Sequence, residues 1–134
     1  MQSIFRLWRK KAWKRDPLHD LSHGATALQT ARFYYLLETR QLVSPELTLE
    51  MKAIMANPGI NHKFVKGLKH WPNLKIYRKS GTWKSWHADS AMVEWGDHNY
   101  IVVALANHPK GGKWLESIVV PLHLLVTSNH QTAR

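Results

Sequence analysis

From Leu74 to Ala106 the chain alternates at a period of two, and that stretch decides most of what it can become. Leu74, Ile76 and Arg78 alternate with Lys75, Tyr77 and Lys79 in a first run. Residues 87–95 (HADSAMVEW) make a second, and Tyr100 to Ala106 (YIVVALA) a third, apolar enough for a sheet covered on both faces. Gly96-Asp97-His98 reads as the turn between the last two. Trp71-Pro72-Asn73 marks the entry to the first run, and His108-Pro109-Lys110-Gly111-Gly112 closes the third. The pattern predicts a three-stranded antiparallel meander.

On either side of this block the period is helical. Thr26 and Gln29 fit a capping box, and Leu28, Ala31, Tyr35 and Leu36 recur at helical spacing towards Thr39. Ser44-Pro45-Glu46 supplies an N-cap, a proline in the first turn and an acid against the helix dipole. That second helix is expected to carry Leu47, Met51, Ile54 and Met55 inward and to stop at Asn57-Pro58-Gly59. A short helical piece is expected between His62 and Leu68. Beyond the strands, Trp114, Leu115, Ile118, Val119, Leu122 and Leu125 predict an amphipathic helix that Pro121 bends or restarts. Helices, then a meander, then a helix is an α+β arrangement. Residues 1–20 read as a basic, Trp-containing lead-in, and residues 21–134 as one domain.

Charge narrows the partners. Lys and Arg number 19 against 9 acids, a formal +10, which makes polyanions candidates. Six of those bases (Arg6, Arg9, Lys10, Lys11, Lys14, Arg15) precede the first acid, Asp16, and are interleaved with Trp8 and Trp13. The remaining 13 bases against 9 acids leave +4, an ordinary surface, so nucleic acid is the weaker reading. The chain has no cysteine, which excludes disulfides, zinc-thiolate sites and thiol chemistry. Its nine histidines show no metal-ligand spacing backed by carboxylates, so neither a metal nor another cofactor is expected. No apolar run reaches the roughly 20 residues of a membrane span, and no secretory signal is visible.

The segment richest in chemistry is Lys79-Ser80-Gly81-Thr82, at the end of the first strand. A cation and two hydroxyls stand beside a glycine whose bare backbone lets a ligand come close. Such an edge can hold a carboxylate, pair with an extended substrate, or donate a backbone N–H to a developing oxyanion. Further on, His87 and Asp89 lie two apart on a strand and face one side, a possible polar pair; a Ser80–His87–Asp89 triad is chemically conceivable, although nothing in the spacing activates Ser80.

Lys-Ser-Gly-Thr resembles the Lys-Thr-Gly signature of the penicillin-recognising serine hydrolases, the class A β-lactamases among them. Its setting is similar too: a meander through His87-Ala88-Asp89-Ser90-Ala91-Met92-Val93 and Tyr100-Ile101-Val102-Val103-Ala104-Leu105, then a C-terminal helix. Upstream, His23-Gly24-Ala25-Thr26-Ala27 and Leu42-Val43-Ser44-Pro45-Glu46-Leu47 resemble the stretches that follow the family's omega loop. The resemblance implies the C-terminal part of a β-lactamase-like fold. It implies that Lys79 steers a substrate carboxylate, that Ser80 and Thr82 hydrogen-bond it, and that the N–H of Thr82 or Trp83 forms half of an oxyanion hole. Trp83 would partly fill the cleft, and the protein would work outside the cytoplasm.

One part of the family pattern is missing. None of Ser3, Ser22, Ser44, Ser80, Ser85, Ser90, Ser117 and Ser128 has Lys three places on, so the Ser-x-x-Lys nucleophile motif does not occur; Ser-Asp-Asn is absent as well. The expectation is a segment of a serine hydrolase acting on a small acyl compound, inactive unless its N-terminal half is supplied. Two alternatives remain: a non-catalytic module binding carboxylates or peptidoglycan stems, and a small basic nucleic-acid-binding protein. A partial domain should also leave a strand edge and an apolar sheet face exposed.

Overall fold

The computed structural model describes residues 25–128, and the lead-in of residues 1–20 lies outside them. Helix α1 (Ala27–Glu38) opens on the expected capping box: the Thr26 hydroxyl accepts from Gln29 N–H at 3.1 Å, and Gln29 Oε1 accepts from Thr26 N–H at 2.8 Å. Helix α2 (Pro45–Met55) is capped by Ser44 Oγ and begins on its proline. A short α3 (Phe64–Leu68) leads into strands β1 (Lys75–Trp83), β2 (Trp86–Trp95) and β3 (His98–Asn107). The C-terminal helix α4 (Gly111–Ser128) runs through Pro121 as one helix of 18 residues, without the restart that the proline suggested.

The sheet order is β1-β2-β3, antiparallel throughout, so the α+β meander forms as expected. Trp83 pairs with Trp86 across the Lys84–Ser85 turn, and Trp95 with His98 across Gly96–Asp97. His98 therefore belongs to β3 rather than to the turn. Alternation sends Ile76, Arg78, Ser80 and Thr82 of β1 to one face, and Tyr77, Lys79, Gly81 and Trp83 to the other.

The main core lies on the first of these faces. Ala91 and Val93 of β2 and Val102 of β3 pack with Phe64 and Leu68 of α3 and with Leu115 and Val119 of α4. Helices α3 and α4 approach so closely that a methyl group on Gly67 would lie 2.4 Å from the Glu116 carbonyl oxygen. On the opposite face Tyr34 and Leu37 of α1 are buried with Met92 and Ser90 of β2. Here the helix faces differ from the sequence pattern. Leu28 and Tyr35 are exposed while their neighbours Tyr34 and Leu37 are buried; in α2, Leu47 and Ile54 are exposed and Thr48 is buried. Both helices are apolar on more than one side, so the sheet's position, not periodicity, selects the face turned inward. The sheet is also less covered than β3's composition implied: Leu105, Trp83 and Trp86 are all exposed on the α1 side.

Candidate functional site

β1 is an edge strand: within the described residues its only strand partner is β2. Lys79 to Thr82 thus lie along a free rim, with the four residues divided between the two faces. The Lys79 ammonium is on the α1 side, exposed, and donates to the Ser80 carbonyl at 2.9 Å. Nothing lies within 4 Å of where a Cβ on Gly81 would stand, so the backbone there is open to a ligand. Ser80 and Thr82 point to the α3–α4 side.

Below Thr82 sits a residue that sequence reasoning did not find. Lys63 is 3% exposed, and its backbone has a φ of 52°, a left-handed conformation that costs a non-glycine residue about 1 kcal/mol or more. Its ammonium donates to Gly81 O at 2.7 Å, Thr82 Oγ1 at 2.9 Å and Ala88 O at 3.0 Å. All three donors are used on the strand ends. No carboxylate among the described residues pairs with it. Burial pulls the Lys63 pKa down, with the field of Asp89 acting the other way.

Asp89 does not line a cleft. Its side chain is fully buried, bound by Arg78 through Nε at 2.7 Å and Nη2 at 2.9 Å and by the Phe64 N–H at 3.0 Å. Arg78 also donates to the carbonyls of Ile60 and His62. The carboxylate is therefore committed to anchoring the start of α3 on the sheet. The conceivable Ser80–His87–Asp89 triad does not form, since His87 Nδ1 is buried with no hydrogen-bond partner. A sequence signal for the ion pair was available: the Trp83–Trp86 register puts Arg78 and Asp89 diagonally adjacent on one face.

His87 instead packs against the start of α4, where a Cβ on Gly111 would come within 2.7 Å of its ring. With Thr82, Lys63, His62, Lys113 and Glu116 it lines a groove of about 300 Å³. Burial, with the nearby Arg78 and Lys63 charges, lowers the His62 pKa, and Glu116 is held by Lys66 at 3.0 Å. Arg78 and Asp89 cancel, as do Lys66 and Glu116. Lys63 and Lys113 are left as the groove's uncompensated cations. Trp83, expected to fill the cleft, is on the opposite face and stands in solvent.

The β-lactamase enzyme family profile matches residues 9–120. The chain belongs to this family. Among solved structures it is similar to the penicillin-binding protein PBP-A, with 17% identity and a TM-score of 0.63 over 88% of this chain and 49% of that one. It is similar also to a β-lactamase from Sphaerobacter thermophilus, with 18% identity and a TM-score of 0.66 over 78% of this chain and 41% of that one. A mutant of PBP-A in its acyl-enzyme complex with penicillin-G matches with a TM-score of 0.62 and 17% identity, over 88% of this chain and 49% of that one. The chain thus spans about half the length of these proteins or less. No curated protein matches it. At these identities the structural likeness establishes the β-lactamase-like fold, and the expectation of a C-terminal part of that fold holds. Among the described residues no group of three metal-binding side chains occurs, and no helix is long and apolar enough to cross a membrane.

Proposed function

We propose that this chain carries the substrate-binding part of a penicillin-recognising serine acyl hydrolase, with the free rim of β1 as the place where a carboxylate-bearing acyl compound docks. The supporting observation is Lys63, a buried ammonium with no carboxylate in contact, set under the Thr82 hydroxyl. A buried charge is costly unless something offsets it, and an anion at Thr82 would do so. Because Lys63 donates to Thr82 Oγ1, the Thr82 proton is left to point outward, towards a carboxylate oxygen. Exposed Lys79 and Lys113 add attraction at longer range. The substrate chain then lies along β1, where the N–H of Thr82 or Trp83 can meet the developing oxyanion.

The 134 residues hold no Ser-x-x-Lys, so the serine that attacks the carbonyl, and the amine that takes its proton, come from outside them in this reading. That same absence favours a second reading, a carboxylate-binding module without turnover. Both place the compartment outside the cytoplasm, on family grounds.

Penicillin G tests the proposal. Saturable, salt-sensitive binding to the chain is expected, weakened about tenfold by Thr82→Val, with mass spectrometry detecting no covalent adduct. Adding the family's N-terminal half in trans should then yield an acyl-serine on that half if the hydrolase reading is right, and leave only reversible binding if the module reading is right. Binding indifferent to Thr82→Val and Lys79→Met would sink both.

A further inference from the structure

Between α1 and the rim of β1 runs a chain of buried hydroxyls that the carboxylate reading leaves unused. Tyr34 of α1 is 1% exposed; its hydroxyl donates to the Ser90 carbonyl at 2.9 Å and lies 3.1 Å from Ser90 Oγ. Ser90 Oγ in turn donates to the Lys79 carbonyl at 2.9 Å. We infer that Tyr34 and Ser90 are positioning residues: through the Lys79 carbonyl they fix the direction of the Ser80 N–H, a donor on the rim where the acyl ligand lies. This role rests on the docking of that ligand along β1.

Strand parity decides which groups face the rim. The Lys84–Ser85 turn is two residues long, so Trp83 and Trp86 form the hydrogen-bonded pair that closes the hairpin. Counting back in twos, Gly81 and Lys79 turn their N–H and C=O towards β2, and Thr82 and Ser80 turn theirs to the free edge. A trans peptide holds its C=O and N–H in opposite directions. The Lys79–Ser80 peptide therefore aims its N–H outward for as long as the Lys79 carbonyl is held inward. An edge strand has a ladder on one side only, and a second hold on that carbonyl limits rotation of the whole peptide plane. The Gly81–Thr82 peptide is held likewise from the other face of the sheet, where Lys63 Nζ donates to Gly81 O at 2.7 Å and so sets the Thr82 N–H. The Ser80 carbonyl, also at the edge, is occupied by Lys79 Nζ at 2.9 Å. The rim keeps two fixed donors, suited to the oxygens of an acyl compound.

Core packing alone does not require these hydroxyls. Phenylalanine and alanine would fill the same places with no buried group to satisfy, at little cost in stability. With its own proton on Lys79 O, Ser90 Oγ can meet Tyr34 only as an acceptor, so the bonds run in one direction, from α1 to the rim.

Penicillin G titrated into the full chain, followed by backbone amide NMR, separates positioning from plain structure. In the parent, the Ser80 and Thr82 amides should both shift on binding. Ser90→Ala removes the hold on Lys79 O but leaves Tyr34 its bond to the Ser90 carbonyl, so the melt should stay close to the parent's. Affinity should fall about fivefold, the worth of one hydrogen bond, with the Ser80 response lost and the Thr82 response kept. Tyr34→Phe should act in the same direction by about twofold, and Ser90→Thr, which keeps the hydroxyl, should retain parental binding. If Ser90→Ala binds like the parent, or weakens both amide responses alike, the positioning role is overturned while the carboxylate site stands. If neither amide of the parent responds, the docking reading falls and this role with it. Should Ser90→Ala melt early, Tyr34→Phe decides by the same two amides.

Discussion

The two ends of the sheet use the same residue types in opposite ways. At the Trp95 end, Trp71, Trp95 and Tyr100 close around His123, with ring centroids 4.5, 5.1 and 5.8 Å from the imidazole. His123 is fully buried, its Nδ1 lies 2.8 Å from the Tyr100 hydroxyl, and its Nε2 has no partner. Burial pushes the Tyr100 pKa up to about 12 and the His123 pKa down, so the pair is held neutral. At the hairpin end, Trp83 and Trp86 stand in solvent and the buried polar group is a charged lysine aimed at the strand rim. Tryptophan content therefore does not tell core from cleft, but what each ring touches does: Trp71 and Trp95 pack on a buried imidazole, whereas Trp83 and Trp86 stand in solvent on the face of the sheet away from Lys63.

The largest effect should come from the base of the open end. Asp89→Ala leaves Arg78 buried without its carboxylate and the Phe64 N–H without its acceptor, and should cost about 3–5 kcal/mol in urea unfolding. The double change Arg78→Met with Asp89→Leu should recover most of that loss. If Asp89→Ala alone is tolerated, the ion pair does not anchor α3 and the groove has no fixed floor. Next come the tryptophans. Trp95 is half-buried and donates to Pro72 O at 3.1 Å, so Trp95→Ala should cost about 2 kcal/mol. Trp83→Ala should stay within about 0.5 kcal/mol of the parent. Equal losses would erase the contrast between the two ends.

Acid sharpens the comparison. Burial first, and the charge of His98 second, hold the His123 pKa below its ordinary value of about 6.5. Between that lowered value and 6.5 the unfolded chain binds more protons than the folded one, so stability rises with pH through this window. It is complete above about pH 6.5 and is lost on acidification, with a slope of up to about 1.4 kcal/mol per pH unit for one group. His62, lowered by burial and by Arg78 and Lys63, adds a dependence of the same sign. His123→Gln should remove the His123 share of the slope, and urea midpoints between pH 5 and 8 would measure it.

Much of this could be read from the chain. The capping box at Thr26, the proline at Pro45 and the alternation from Leu74 onward are local signals, and each produced its element where expected. The place of Lys79 to Thr82 at the end of the first strand was legible from the alternation, and β1 does run to Trp83. What could not be read was tertiary. Tyr34 and Tyr35 look alike in sequence, yet only Tyr34 reaches Ser90, donating to its carbonyl at 2.9 Å. Lys63 has no neighbouring motif, because its three acceptors lie 18, 19 and 25 residues away. Asp89 looked available for chemistry because Arg78 lies 11 residues away in sequence, and only the Trp83–Trp86 register brings its guanidinium onto both carboxylate oxygens.

The smallest predicted change in stability carries the most functional weight. Gly81 and Gly67 are both glycines beside the functional strand or the core, but their surroundings differ. A Cβ at Gly67 would collide with the Glu116 carbonyl oxygen and with Val119 Cγ1 at 2.5 Å, whereas one at Gly81 meets nothing within 4 Å. Gly81→Ala should therefore leave the melting transition nearly unchanged, within about 0.5 kcal/mol, and Gly67→Ala should lower it clearly. If β1's rim is where an acyl ligand lies, the Gly81 methyl occupies space the ligand needs, and penicillin G binding should fall at least about fivefold in a protein of parental stability. Retained affinity in Gly81→Ala would mean that no ligand crosses that backbone. Lost stability would mean instead that Gly81 is a structural glycine, and that the rim is less open than its geometry indicates.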